Sequence, residues 1–364
     1  LRIGIAFDLA PTDPALRQEG PDDRFEEFDK PETVEAIAEV IRGEGHEVIL
    51  FGDGREFLTR VLADPPDFVF NIAEGEGVGR CREARVPAVL EMLGIPYSGS
   101  DPLTLSVCLD KMATKQMLQP NESLVAAELG SRLPMGWELP PSPSEVEEEL
   151  DWLYAYSGRG PLHDRTFWLS EPMPLILKPT FEGSSKGIRG DCIARSKEEA
   201  VAIYRRLVQD YQQPILAEEF IEGDEVTVGI VGTNRNRGGK GQEVLGVMRV
   251  VPRIPSESFV YSLEVKRDWR NLVDYEVPAL YPADLIEMLG QSAMTAAGFL
   301  GCRDLARIDF RVRDGVPYFI EANPLPGLAP GTSDLVILAR GYGIEYPDLI
   351  RKILHAALTR VGLK

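Results

Sequence analysis

Residues 307–327 read RIDFRVRDGVPYFIEANPLPG, and their pattern decides the architecture. Two runs rich in alternating apolar residues flank Asp314-Gly315, a dipeptide that favours a tight hairpin turn, so the segment predicts two antiparallel strands. Arg307, Asp309, Glu321 and Asn323 lie on those strands. Asp309, Glu321 and Asn323 offer only oxygen, the donor type that Mg²⁺ prefers and shares with substrate phosphates. Side chains two apart on a strand share a face, which places Glu321 with Asn323. A strict two-residue turn sets Asp309 opposite Ile320 and faces it away from Glu321, so a bulge or a longer turn must reunite them.

Two upstream segments extend this reading. LKPTFEGSSKGIRG (177–190) is a glycine-rich loop between strands, whose open backbone N–H groups suit phosphate oxygens, with Lys178 as a point charge beside it. A plain surface turn explains that segment alone equally well. ILAEEFIEGDEVTVGIVG (215–232) sets Glu218 and Glu219 before Phe220 and Ile221, with Glu225 beyond a glycine turn. Such a hairpin fits an exocyclic amine at Glu218, a purine ring at the apolar pair and ribose hydroxyls at Glu225. An acidic hairpin on an acidic protein also needs no ligand.

The first hundred residues alternate strand-like runs (RIGIAF, EVIL, DFVFNI, IPYSG) with amphipathic stretches, a β/α order. Val34, Ile37, Ala38 and Ile41 follow helical spacing behind Pro31, which suits a first helical turn. A long acidic loop, Asp8 to Lys30, separates that helix from the first strand, and loops of this length are commonly functional. Residues 134–166 read as a Pro-rich, acidic surface insertion, residues 197–210 as a helix, and the stretch from Asp334 onward as terminal helix.

The chain has 364 residues, enough for two or three domains, and its 44% hydrophobic and 27% charged content is that of a folded globular protein. With 39 Lys plus Arg against 58 Asp plus Glu, the formal charge is −19, which disfavours nucleic acid. No apolar run is long enough to span a membrane and no cleavable leader is visible, so a cytoplasmic protein is expected. Cys81, Cys108, Cys192 and Cys302 lack zinc or disulfide spacing and are expected to be buried thiols. The three histidines, His46, His163 and His355, form no i, i+4 pair, which leaves oxygen to bind any metal.

Rival chemistries are weaker. Gly75 and Gly77 begin a dinucleotide pattern, but Arg80 stands where the third glycine is needed, and no glycine-rich turn ends in Gly-Lys-Ser/Thr. Gly183–Gly187 matches G-x-S-x-G, and Ser185, Asp309 and His355 fall in the order of a hydrolase triad. The helix that must follow such a nucleophile is missing, because GIRGDCIA reads as the second strand of a hairpin. A nucleotide-binding protein without catalysis is the remaining alternative.

Collinear with these segments, LGIPYSGSDPLTLSVCLDKMATK (93–115), LKPTFEGSSKGI, EEFIEGDEVTV and RIDF…FIEANPLPG together resemble the ATP-grasp superfamily, and within it the D-alanine–D-alanine ligase branch. The resemblance covers most of the chain. It implies an α/β (α+β) ATP-grasp fold of three domains, divided here as 1–101, 102–217 and 218–364, with ATP between the antiparallel sheets of the last two. It further implies Mg²⁺, replaceable by Mn²⁺, on Asp309, Glu321 and Asn323. Lys111, Lys178 and Lys266 would meet the phosphates, beneath the loop Glu182, Gly183, Ser184, Ser185 and Gly187. Glu218 would take the adenine amine, Phe220 and Ile221 the ring, and Glu225 the ribose. Arg307 and the Gly327 backbone would hold the oxyanion, with Ser184 and Lys266 completing the catalytic set.

The departures from that family cluster. Its glycine-rich N-terminal segment with a substrate-binding glutamate is replaced by residues 7–29, its histidine after the third strand by Glu74, its flap tyrosine by Arg267, and its helix-opening serine by Asp334. Nucleotide positions are kept and amino-acid positions are changed. The expectation is therefore a carboxylate–amine ligase working through an acylphosphate, with altered amino-acid specificity. Glu74, Asp334 and a carboxylate from Glu26, Glu27 and Asp29 would favour an amine or cationic substrate, whereas internal pairing, for example Arg267 with Asp334, would leave a small-amino-acid pocket unchanged. The partners implied are ATP and small substrates, and a homodimer is compatible with them.

Overall fold

A computed structural model of the chain describes residues 1–11, 20–119, 129–142, 146, 150, 173–234, 239, 241–256 and 258–364. Twelve strands, β1 to β12, form three sheets among these residues. The first is parallel, with β1 (Arg2–Ala6) between β2 (Glu47–Gly52) and β3 (Phe68–Asn71). The second is antiparallel in the order β4-β7-β5-β6, from β4 (Gly136–Leu139), β5 (Leu175–Pro179), β6 (Ile193–Ala194) and β7 (Ile215–Glu219). The third is also antiparallel, in the order β10-β9-β8-β11-β12, from β8 (Asp224–Thr233), β9 (Gly241–Pro252), β10 (Val273–Glu276), β11 (Leu305–Arg313) and β12 (Val316–Asn323).

The first helix spans Pro31–Gly43, with the proline in its first turn, and buries Val34, Ile37, Ala38 and Ile41 against the parallel sheet. Each large apolar side chain buried this way contributes roughly 1.5–3 kcal/mol. The same core takes in Leu335, Leu338, Leu349, Ile353 and Leu354, so the C-terminal helices share one apolar interior with the N-terminal sheet.

Several expectations need correction. Residues Gly54–Ala63 form an additional helix, and only Phe57 and Val61 of it are buried, too sparse a stripe to read from the sequence. The terminal stretch is two helices, Asp334–Gly341 and Tyr346–Arg360, separated by a turn in which Gly343 adopts φ +77°. Within the supposed insertion, residues 136–139 are β4, paired to β7, while 143–145, 147–149 and 151–166 lie outside the described residues. So do residues 12–19 of the acidic loop. The second strand predicted from GIRGDCIA shrinks to β6, and Cys81 is exposed, unlike Cys108, Cys192 and Cys302. No described helix is long and apolar enough to cross a membrane.

Candidate active site

The hairpin of β11 and β12 carries a bulge between Asp309 and Phe310, which sets Asp309 opposite Glu321 and Arg307 opposite Asn323. This is the irregularity that the turn geometry demanded. On its other edge β11 pairs with β8, where the Thr227 hydroxyl donates to Asp309 at 2.8 Å. Arg307 is 7% exposed, lies against Asp309 at 2.8–3.1 Å, and has Glu321 at 3.8 Å and Asp334 at 3.4 Å. Burial alone would raise the Glu321 carboxyl, but Lys111, Lys178, Arg307 and Lys266 hold it down to about 2. Burial raises Asp309, with Arg307 opposing.

Across the cleft, β5 and β7 present Lys178 and Glu218 on one face. Lys178 lies 2.8 Å from Glu218, and Lys115 lies 2.5 Å from the other carboxylate oxygen. Burial of Glu218 is outweighed by these two lysines, so its carboxyl is held low. Phe220, Ile221, Glu225 and Lys266 share a cavity with Lys178, Glu218, Asp309 and Glu321, which assembles the predicted nucleotide positions between two antiparallel sheets. Arg311 covers the Phe220 ring at 4.9 Å and pairs with Glu225 at 2.8 Å. Lys111 reaches the Glu182 carbonyl and lies 3.7 Å from Glu321.

The glycine-rich loop is held in a left-handed bend, with φ of +48° at Ser184, +60° at Ser185 and +75° at Gly187. A Cβ at Gly187 would stand 2.5 Å from Pro179, so only glycine fits there. Ser185 donates to the Tyr261 carbonyl at 2.9 Å, and His355 lies 2.9 Å from Glu44, so the described hydrogen bonds do not link Ser185 and His355 as a triad needs. The hydrolase alternative is thereby removed. Glu182 faces inward, where Lys186, Arg82 and Gln213 take its carboxylate.

The remaining described part of the acidic loop, residues 20–30, is a strap laid over that bend. Glu27 accepts from the Gly183 N–H at 2.8 Å, from Arg82 at 2.9 Å and from Lys186 at 3.0 Å. Burial would raise its carboxyl, yet Arg82 and Lys186 hold it near 2. Asp23 accepts from the Gly187 N–H at 3.0 Å and from the Tyr211 hydroxyl at 2.6 Å. Arg267 grips the strap at Asp22 (2.7 Å) and Glu26 (2.8 Å); it does not meet Asp334, and it does not line the adjoining substrate-sized cavity. That cavity, about 280 Å³, is bordered by Glu27, Asp29, Glu74, Ser184, Lys266, Arg307, Asn323, Gly327 and Asp334. A larger open groove, about 750 Å³, runs behind the loop along Arg189, Arg206 and Asp210, and Gly187 is the one predicted site residue on it.

Sequence reasoning missed Arg82, which is 1% exposed and ties Glu27, Glu182 and the Phe181 carbonyl together. It also missed Tyr261, whose hydroxyl donates to Asp334 at 3.0 Å, and Lys115, the second partner of Glu218. No local motif surrounds Arg82. Lys115 lies four residues beyond Lys111 on one helix, a spacing that puts both on the same face.

Comparison with known proteins places the chain in a family. Residues 167–355 match the family model described as "D-ala D-ala ligase C-terminus". The D-alanine–D-alanine ligase of Rhizorhabdus wittichii is 31% identical over 88% of this chain and 89% of its own length. That of Moorella thermoacetica is 29% identical over 89% and 92%. Among solved structures, the D-alanine–D-alanine ligase of Bacillus anthracis superposes with a TM-score of 0.68 at 22% identity, covering 100% of both chains, and its complex with ATP superposes at 0.65. The chain belongs to the D-alanine–D-alanine ligase family, ATP-dependent carbon–nitrogen ligases of the ATP-grasp fold.

Proposed function

We propose that this ligase joins a carboxylate to an amine through an acylphosphate and that its substrates differ from a simple pair of D-alanines. The observation that carries the altered specificity is Asp334, which accepts from Arg307 at 3.4 Å and from Tyr261 at 3.0 Å. A guanidinium already facing a carboxylate is less available to a substrate carboxylate at that end of the cavity.

Asp309, Glu321 and Asn323 fit a hard divalent cation. The cations nearest Glu321 stand at 3.7 and 3.8 Å, beyond hydrogen-bond reach, which leaves its oxygens open. Held by Asp309, Glu321 and Asn323, Mg²⁺ would supply positive charge against the phosphates of the nucleotide.

In this reading a substrate carboxylate oxygen attacks the γ-phosphorus, and the bond to the bridging oxygen breaks as ADP leaves. Lys111, Lys178 and Lys266 spread the charge that develops on the phosphoryl oxygens. The free amine nitrogen then attacks the acyl carbon, the carbon–oxygen bond to the phosphoryl group breaks, and inorganic phosphate departs with the proton the nitrogen loses. Arg307 and the Gly327 backbone stabilise the oxyanion, and the loop at Ser184 excludes water from the acylphosphate. The test is phosphate release from ATP with Mg²⁺ and pooled D- and L-amino acids. The reading requires release that depends on amino acid and falls at least tenfold in Lys178→Met. Release without amino acid, or undiminished in the variant, overturns it.

A further inference from the structure

The cavity of about 280 Å³ has more acid on its walls than the protein neutralises. Glu26 and Glu27 are taken by Arg267, Arg82 and Lys186, and Asp334 by Arg307 and Tyr261. Glu74 and Asp29 also border the cavity, and among the described residues no hydrogen bond or ion pair reaches either side chain. Behind Glu74, Glu83 is only 6% exposed, lines the small void continuous with Glu74, Ser184 and Asn323, and likewise has no such partner among the described residues. Arg82 acts on Glu74, and Arg82 with Lys111 on Glu83, only through space and not by a hydrogen bond, so burial still outweighs them and a ligand cation at Glu74 would relieve the remaining cost. The cost is visible in the carboxyls themselves. Burial, with Glu83 and Glu27 close by, pushes Glu74 well above the usual range, and burial raises Glu83 to about 8 and Asp29 to about 7.

The remaining walls suit the same ligand. Phe28, Tyr261, Trp269 and Tyr275 face the cavity, and aromatic faces attract cations. Lys266 already stands over the Tyr261 ring at 5.0 Å. Resting on the ligase reading above, we propose that one of the two substrates carries a protonated nitrogen beyond its reacting group, as a short diamino acid does, with Glu74 as its direct counter-charge and Glu83 behind it. Recognition by Glu74 then separates diamino acids from neutral amino acids of equal length.

The test is calorimetric binding to the full chain loaded with Mg²⁺ and a non-hydrolysable ATP analogue. Ornithine and 2,4-diaminobutyrate, in both chiralities, are compared with norvaline and 2-aminobutyrate, their uncharged counterparts. At least one diamino acid should bind tenfold or more tightly than its counterpart. Glu74→Gln, a neutral isostere, should erase that ratio, and Glu74→Asp should restore part of it. Equal binding of charged and uncharged ligands, or a ratio untouched by Glu74→Gln in a variant with unchanged melting, overturns the proposal. Phosphate release then separates the two claims. Turnover of neutral amino acids with no diamino preference removes this proposal and keeps the ligase, whereas Glu74-dependent diamino binding without phosphate release from any pool keeps the site and removes the ligation.

Discussion

Lys178 and Glu218 hold each other at 2.8 Å on the cleft wall, and in the proposed function a nucleotide enters beside a pair that is already made. Replacing Lys178 by Met removes the charge offered to the phosphates and leaves Glu218 with Lys115 alone. Charged hydrogen bonds of this kind are worth about 1.5–3 kcal/mol, so kcat/KM for ATP should fall by roughly 10- to 100-fold or more. Steady-state kinetics in varied ATP reads this directly. Arg82 matters differently, because it borders neither cavity and acts through the carboxylates of Glu27 and Glu182. Truncation to Ala leaves Glu27 and Glu182 short of a buried cation, and losing one member of such a pair costs about 3–5 kcal/mol, measurable as a lower urea midpoint. The residues on the β11–β12 hairpin were legible because their partners are close in sequence and strand parity fixes their faces. Arg82 was not, because Glu27 and Glu182 lie 55 and 100 residues away and only the fold brings them together.

At the scale of elements, the strap and the glycine-rich bend act as a unit. The carboxylates of Glu27 and Asp23 take the Gly183 and Gly187 N–H groups, which fixes the bend before ATP arrives. Glu27→Gln keeps the shape and removes the charge that Arg82 and Lys186 answer. The expected outcome is faster hydrogen exchange at Gly183 and Gly187 and a higher KM for ATP, with little change in secondary structure. The pH sense follows from the depressed Glu27 carboxyl. Its stabilisation is present above the ordinary value of 4.5 and is lost as pH falls towards about 2, so the strap should loosen in strong acid. The strands β1 to β3, the β11–β12 hairpin and the 31–43 helix could be read from alternation and spacing, whereas β4, β9 and β10 were not read and the run IPYSG forms only an isolated bridge at Tyr97. The 54–63 helix could not, because it buries only Phe57 and Val61, and the strap looked like an ordinary acidic loop until its partners were visible.

For the whole molecule, the formal charge of −19 and the buried acids act in the same direction. Burial, together with the neighbouring Asp53 carboxyl, lifts Asp8 to about 8, and burial lifts Glu83 to about 8 and Asp29 to about 7. Carboxyls raised in the folded state retain protons that the unfolded chain loses near pH 4, so stability falls as pH rises from there towards 8. The melting temperature of the ligand-free protein should therefore be highest in mildly acidic buffer and decline by several degrees between about pH 5 and pH 8. A flat or rising profile over that range would contradict this account. The fold class was legible across the chain, since several segments agreed in order. The acids Glu74, Asp334 and the group Glu26, Glu27 and Asp29 stood out as departures from the family pattern, whereas Glu83 did not, because only the fold buries it near Glu74.

Cys81 is exposed while Cys108, Cys192 and Cys302 are buried, and Cys81 directly precedes the arginine that ties the strap to the bend. A thiol-directed dye added to the unaltered chain will therefore attach at one place. That place adjoins the joint between strap and loop, so the fluorescence of the dye becomes a built-in reporter of ligand arrival, with no engineered cysteine.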